Sequence, residues 1–323
     1  MINGKWPPTF VKNFHNESSV KQMEYRKLGA TDMFVSKLSL GGSPFGGLYN
    51  PCDQTTINKI VEDSLKNGIN LIDTSYWYGQ GKSEQAIAEA LKNIPRSAYY
   101  IATKIGRYEK DYLRMFDFSA EKTHRQIDSA LERLRVPYID IINVHDVDFC
   151  DDIEIIVKET LPALEVAKKN GKTRYIGITG YNLNVLKSIV EKSKVPIDVI
   201  LTYSHTVLHD YSLRYFVPFF KDRNVGIIAA APLSCGMLRN DGPMDWHPAS
   251  NRIKAACKAA VDYCKQKGVN ISKIATYESI NFPGVATTLV GMDSPPQVQE
   301  NLEACWSYLT NEERQCLYHI LEK

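Results

Sequence analysis

One pattern constrains this chain more than any other. A short apolar run, a loop and an amphipathic segment of helical period recur eight times in succession. The apolar runs lie at 37–41, 69–73, 99–104, 139–144, 173–178, 196–201, 225–230 and 287–290. Helical periodicity fills the intervals at 55–67, 83–92, 120–134, 152–169, 183–192, 212–222, 252–267 and 272–281, and returns at 296–307. A run such as Ile139-Asp-Ile-Ile-Asn-Val144 does not alternate apolar with polar. Its strand is therefore expected to be covered on both faces, as in a parallel sheet flanked by helices. Glycine follows the helical segments at Asn67-Gly68, Asn170-Gly171 and Lys267-Gly268, where a left-handed residue closes a helix. Ser83, Ser119 and Ser272 stand where N-caps belong.

Eight such units predict α/β architecture: one (β/α)8 TIM barrel over 23–323, rather than the two domains that a 323-residue length allows. Residues 25–42 predict two short strands about a turn at 29–32, a β-hairpin closing the barrel bottom. Residues 1–22 are read as an N-terminal extension, partly flexible. A doubly wound open sheet is the alternative. It wants GxGxxG after the first strand, and Gly41-Gly-Ser-Pro-Phe-Gly-Gly47 has another spacing and a proline inside it.

Charge and composition remove other classes. A net charge of +2 gives no electrostatic footprint for nucleic acid or an anionic membrane. No run approaches the roughly 20 apolar residues of a spanning helix. Residues 1–22 lack the basic start and apolar stretch of a secretory signal. The expectation is a cytoplasmic protein with a small-molecule partner, as a monomer or dimer. The seven cysteines, Cys52, Cys150, Cys235, Cys257, Cys264, Cys305 and Cys316, are odd in number and form no CxxC. They read as reduced thiols without a metal.

A barrel places its active site at the C-terminal mouth, where the strand ends converge. The second strand ends in Asp73, followed by Thr74-Ser-Tyr-Trp-Tyr78; the third ends in Lys104; the fourth leads into His145. An ammonium buried there needs a counter-ion, and Asp73 on the adjacent strand supplies it. A phenol beside a cation has its phenolate favoured, which predicts a Tyr78 pKa lowered from the usual value of about 10. Such a phenol exchanges a proton with a developing alkoxide, while His145 orients the same oxygen. These parts suit carbonyl/alcohol interconversion. The hydride must come from a bound nicotinamide, because no side chain carries one.

The segments Leu71-Ile-Asp-Thr-Ser-Tyr-Trp-Tyr-Gly79, Gly81-Lys-Ser-Glu84, Ala102-Thr-Lys104 and Val144-His-Asp146 resemble the aldo-keto reductase superfamily. The likeness runs from about Tyr25 to the C-terminus and is greatest to the L-galactose dehydrogenase-like branch. That is carried by Ile105-Gly-Arg-Tyr108, Phe116-Asp-Phe-Ser119, Gly177-Ile-Thr-Gly180, Pro232-Leu-Ser-Cys-Gly-Met237 and Asp245-Trp-His-Pro-Ala-Ser250. The resemblance implies a catalytic tetrad of Asp73, Tyr78, Lys104 and His145.

It also implies an extended NAD(P) across the mouth. Gly42, Ser43, Thr179, Gly180 and Tyr203 would serve the cofactor, as would Pro232, Leu233, Ser234 and Gly236 in the loop after the seventh strand. Gly291, Gln297, Glu300 and Asn301 follow the eighth. NADP-preferring members carry basic residues in that last loop. Here no Arg or Lys lies between Val290 and Leu302, which favours NAD over NADP. Ala229-Ala-Ala231 lacks the aromatic that many members stack on the nicotinamide. Phe45, Trp77, Tyr108, His205 and His209 are candidates for the substrate pocket, whose aromatic and polar mix suits a sugar or small aldehyde. A nicotinamide-binding regulatory or scaffold subunit is the alternative to an enzyme.

Overall fold

The computed structural model describes residues 1–2, 4–243 and 247–322. The Asp245-Trp246 part of the fifth resemblance motif lies outside them. Two antiparallel strands, β1 (Tyr25–Lys27) and β2 (Phe34–Ser36), form the N-terminal hairpin. The barrel strands are β3 (Leu38–Gly41), β4 (Leu71–Asp73), β5 (Tyr100–Ile105), β6 (Ile139–Val144), β7 (Thr173–Gly180), β8 (Val199–Tyr203), β9 (Gly226–Ala230) and β10 (Thr287–Gly291). All eight pair in parallel, and β10 closes on β3, with Thr288 opposite Leu38 and Gly291 opposite Gly41. This closure gives the TIM barrel and excludes the open sheet.

Along each strand, alternate residues face the two layers. Ile142, Val144 and Ile101 belong to the outer core, packed under the helices. Ile141, Ala102, Leu71, Val199 and Leu201 fill the barrel interior. Leu28, Met33 and Val35 of the hairpin join that interior cluster and plug the bottom. In the N-terminal extension Trp6 stacks on Phe10, with ring centroids 4.0 Å apart, and Val20 is fully buried.

The helices depart from expectation at identifiable residues. The predicted helix over 152–169 is broken: a π-helical stretch at Ile156–Thr160 separates Ile153–Ile155 from Leu161–Lys169. Pro162 lacks an N–H and crowds the carbonyl one turn back, so the ladder widens just before it. Pro218 has a similar effect at 212–222, where a 3-10 turn (Ser212–Tyr215) precedes a short helix (Val217–Asp222).

Ser119 is an N-cap as expected, but Ser83 and Ser272 lie inside their helices, capped by Gly81 and Asn270. The Ser83 hydroxyl is used elsewhere, donating to Gly42 O at 2.7 Å and lying 2.7 Å from Thr74 Oγ1. It thus ties the loops after β3 and β4 together at the mouth. Two further helices, Glu17–Gln22 and Asn311–Leu321, were not expected.

Among the described residues all seven cysteines are free, and no helix is long and apolar enough to cross a membrane.

Candidate active site

The strand ends of β4, β5 and β6 bring Asp73, Lys104 and His145 to one rim, and all three are buried. Tyr78 arrives on the loop after β4. Its position depends on close backbone contact: a Cβ added at Gly46 would lie 2.3 Å from Tyr78 O, and one at Gly79 would lie 2.3 Å from Gly46 O. Only glycine permits this approach, which locks the Tyr78 loop onto the loop after β3.

Lys104 Nζ has three protons and three acceptors. It donates to Asp73 Oδ1, to Thr74 O at 2.9 Å and to the Tyr78 hydroxyl oxygen at 3.1 Å. An ammonium offers no lone pair, so Tyr78 can only accept from it. The phenolic proton is left to point elsewhere.

The electrostatics correct one expectation. The Tyr78 phenol is held well above its ordinary range, not below it. Burial is the main cause, and the carboxylates of Asp73 and Asp146 add to it, while Arg107 opposes. The sequence reading counted the Lys104 charge but not the burial of the phenol. Burial also pushes the Asp73 carboxyl up, against the pull of Lys104.

His145 is pushed well below the usual imidazole range by burial and by the charges of Lys104 and Arg107, so it is neutral. Its Nδ1 lies 3.1 Å from Ser75 Oγ, which already accepts from Trp77 N at 3.1 Å. The Ser75 proton is free to meet Nδ1, which favours the tautomer with its proton on Nε2. That nitrogen lies 3.7 Å from Asp146 Oδ2.

These groups open into a cavity of about 530 Å³. Asp73, Tyr78, His145 and Trp77 line it, as do Ser43, Tyr203, Pro232, Leu233, Gly236, Gly291 and Gln297. Lys104 lies behind Asp73 and Tyr78. The other expected residues support the wall without facing the cavity. Phe45 is in the outer core. Tyr108 packs edge-on against Tyr76, with centroids 5.9 Å apart, under the Lys122 ammonium.

Both ring nitrogens of His205 are engaged, Nδ1 at 2.8 Å from Ser212 Oγ and Nε2 at 2.6 Å from Tyr181 O. His209 reaches Ser234 Oγ at 2.8 Å. Gly42 and Gly180 serve through backbone carbonyls, which accept from Ser83 and Thr202. Thr179 is buried, accepting from Asp146 N at 2.9 Å and from the Tyr203 hydroxyl at 3.2 Å. Glu300 is exposed, and Asn301 bonds to Gln297 O and Thr276.

Sequence reasoning assigned no role to Tyr49, Arg107, Asp146, Tyr181 and Asp293, all of which line the cavity. Arg107 lay within a quoted motif and Asp146 followed His145, which is the signal that could have found them. The aromatic surface missing from 229–231 is supplied by Tyr203 and Tyr181, whose rings lie 4.7 Å apart.

The cavity lining suits a dinucleotide in its mix of apolar, aromatic and polar groups. Ser234, Cys235 and Gly236 take consecutive positive φ values of 47, 51 and 98°, with the N–H groups of Ser234 and Gly236 donating within the loop to Ala231 O at 2.9 Å and Leu233 O at 3.0 Å. The helix Pro295–Trp306 opens beside Gly291 and Asp293, but Pro295 and Pro296 carry no N–H and Gln297 N donates to Ser294 O at 3.2 Å, so this helix start contributes side chains rather than backbone donors. Leu201, Ala230 and Leu289 give an apolar floor between these loops and Tyr78.

Comparison with known proteins agrees with this geometry. Residues 37–321 match the Aldo/keto reductase family. The chain is 42% identical to an L-galactose dehydrogenase of Arabidopsis thaliana over 288 residues, 88% of each chain. It is 27% identical to a D-arabinose 1-dehydrogenase of Saccharomyces cerevisiae over 83% of this chain and 82% of that one. An aldo-keto reductase of Bacillus halodurans, solved in its holo form, superposes with a TM-score of 0.73 at 27% identity, covering 92% of this chain and 96% of the other.

Proposed function

The chain belongs to the Aldo/keto reductase family and is an oxidoreductase, and from that premise we propose that it oxidises an aldose at its anomeric carbon to a lactone, with NAD(P) as cofactor and NAD preferred. The observation that carries this reading is the full use of the Lys104 ammonium. With its protons committed to Asp73, Thr74 O and the Tyr78 oxygen, it holds the phenol oxygen beside a positive charge and leaves the phenolic proton free to leave before an oxidation or to be given in a reduction.

When bound, the nicotinamide takes up or returns a hydride. Tyr78 handles the proton. In reduction it gives that proton to the forming alkoxide; in oxidation it first loses its proton to solvent, and the phenolate, stabilised by Lys104, then receives the proton of the anomeric hydroxyl. Neutral His145 donates from Nε2 to the same substrate oxygen and fixes its position. Asp73 keeps Lys104 charged and aimed. The loop 232–236 would hold the pyrophosphate, and Tyr203 would offer its ring to the nicotinamide.

The preference for NAD has support beyond the missing basic residues. Gln297 Nε2 donates to Asp293 Oδ1 at 2.7 Å, and Asp293 N donates to Gln297 Oε1 at 2.8 Å. This closed pair holds a carboxylate against Gln297, one of the positions that are basic in NADP-preferring members, and a 2′-phosphate there would be repelled. The test is a fluorescence titration with NADH and NADPH, followed by turnover of an aldose panel with the tighter cofactor. Tighter NADH binding and lactone formation are expected. Turnover of no aldose by a folded, cofactor-binding protein would overturn the reading.

A further inference from the structure

We propose that Arg107 and Asp146 form a polyol subsite beside the reacting centre, which selects sugars by their ring hydroxyls over aldehydes that lack them. The inference rests on the hydride-transfer reading above and assigns its substrate selectivity.

The two residues line the same cavity as Tyr78 and His145. Arg107 Nη1 donates to Asp146 Oδ2 at 2.7 Å. The same oxygen is 3.7 Å from His145 Nε2, so the pair adjoins the atom that would orient the reacting oxygen. The Asp146 side chain is 1% exposed and that of Arg107 20%. The guanidinium lies over the Trp77 ring, 4.1 Å from its centroid.

The charge of Lys104 does not need this pair, since Asp73 compensates it, and on the Tyr78 phenol Asp146 and Arg107 act in opposite directions. What the pair offers is recognition. The Arg107 Nε is buried with no hydrogen-bond partner, and a carboxylate has more lone pairs than one arginine uses. A donor fork and an acceptor side by side match vicinal hydroxyls, each of which both gives and accepts.

Asp146 also holds a left-handed backbone, φ 51°, uncommon for a residue with a Cβ. Its N–H is anchored on Thr179 Oγ1 at 2.9 Å, which fixes the carboxylate at the mouth. Such strain persists where the surroundings enforce it and clusters at functional sites.

The readout is a selectivity ratio in the intact enzyme: kcat/KM for NAD-linked oxidation of an aldose divided by that for NAD-linked oxidation of tetrahydropyran-2-ol, a cyclic hemiacetal with no further ring hydroxyls. Arg107→Leu and Asp146→Asn are each expected to lower it at least tenfold, mainly through the aldose KM. Arg107→Lys, which keeps the charge but loses the fork, should fall between them and wild type. Melting temperature and NADH affinity are measured in parallel. A ratio that stays at the wild-type value, with both substrates slowed together, would show that the pair only holds Trp77 in place and would overturn the proposal. Wild-type enzyme that oxidises tetrahydropyran-2-ol but no aldose would overturn both the proposal and the aldose reading, whereas wild-type aldose turnover with an unchanged ratio in the variants overturns the proposal alone.

Discussion

Two aspartates lie buried at opposite ends of one barrel, Asp140 at the bottom and Asp73 at the mouth. Asp140 is saturated. It accepts from Arg96 Nη2 at 2.6 Å, Arg174 Nη1 at 2.8 Å and Ile101 N at 2.9 Å. Asp73 bonds to Lys104 through Oδ1, while its buried Oδ2 has no partner in the structure. The bottom arrangement stitches the starts of β5, β6 and β7 together beneath an apolar plug. The mouth arrangement leaves hydrogen-bonding capacity unspent next to a cavity. Burial of charge therefore has two meanings in this fold: complete satisfaction accompanies stability, and incomplete satisfaction accompanies a place for substrate.

Breaking each end should give opposite results. Lys104→Met at the mouth is expected to lower kcat by about 10²–10⁴, the usual share of positioned proton transfer. Adding Asp73→Asn removes the orphaned carboxylate and should restore melting temperature without restoring kcat, as followed by thermal denaturation and steady-state kinetics. Asp140→Asn at the bottom leaves Arg96 without a carboxylate and Arg174 with Asp32 alone. It should cost about 3–5 kcal/mol of unfolding free energy in urea, with kcat of the folded enzyme unchanged. If Asp140→Asn lowered kcat at constant stability, the division between the two ends would fail.

A third change sharpens the mouth alone. Gln297→Arg with Asp293→Asn exchanges a carboxylate for a guanidinium, and the NADPH/NADH affinity ratio is expected to rise about tenfold or more. An unchanged ratio in direct titrations would remove Asp293 from the specificity account.

The smallest effect concerns pH. His145 has a folded-state pKa well below its unfolded value of about 6.5. Between those values the unfolded chain binds the proton and the folded one does not. The contribution of His145 to stability is thus complete above about pH 6.5 and is lost as pH falls. His145→Gln should lower the melting temperature less steeply than wild type on going from pH 7 to 5.5; equal slopes would contradict a neutral buried imidazole.

How much of this was legible from sequence follows from what each feature depends on. The barrel strands were readable because burial on both faces leaves runs such as 139–144 with almost no polar interruption. Asp73, Lys104 and His145 were readable because strand ends at a barrel mouth have a forced location. The helix Asn311–Leu321 was missed although Thr310 and Glu313 form a capping box, a signal present in the sequence. The pKa of Tyr78 was misjudged because it depends on enclosure and on Asp146, neither of which periodicity reveals. Arg107, Tyr49 and Tyr181 sit in loops, where no repeat ties residue number to direction. Asp146 needs a positive φ to face the cavity, a conformation that its residue type does not announce.

The central claim is that Tyr78 moves the substrate proton while the cofactor takes the hydride. The most direct measurement is NAD-linked oxidation of an aldose by wild type and Tyr78→Phe, with NADH binding and melting temperature recorded on both. The account predicts wild-type turnover, a loss of about 10²–10⁴ in kcat for Tyr78→Phe, and unchanged binding and stability. Full turnover by Tyr78→Phe would contradict it.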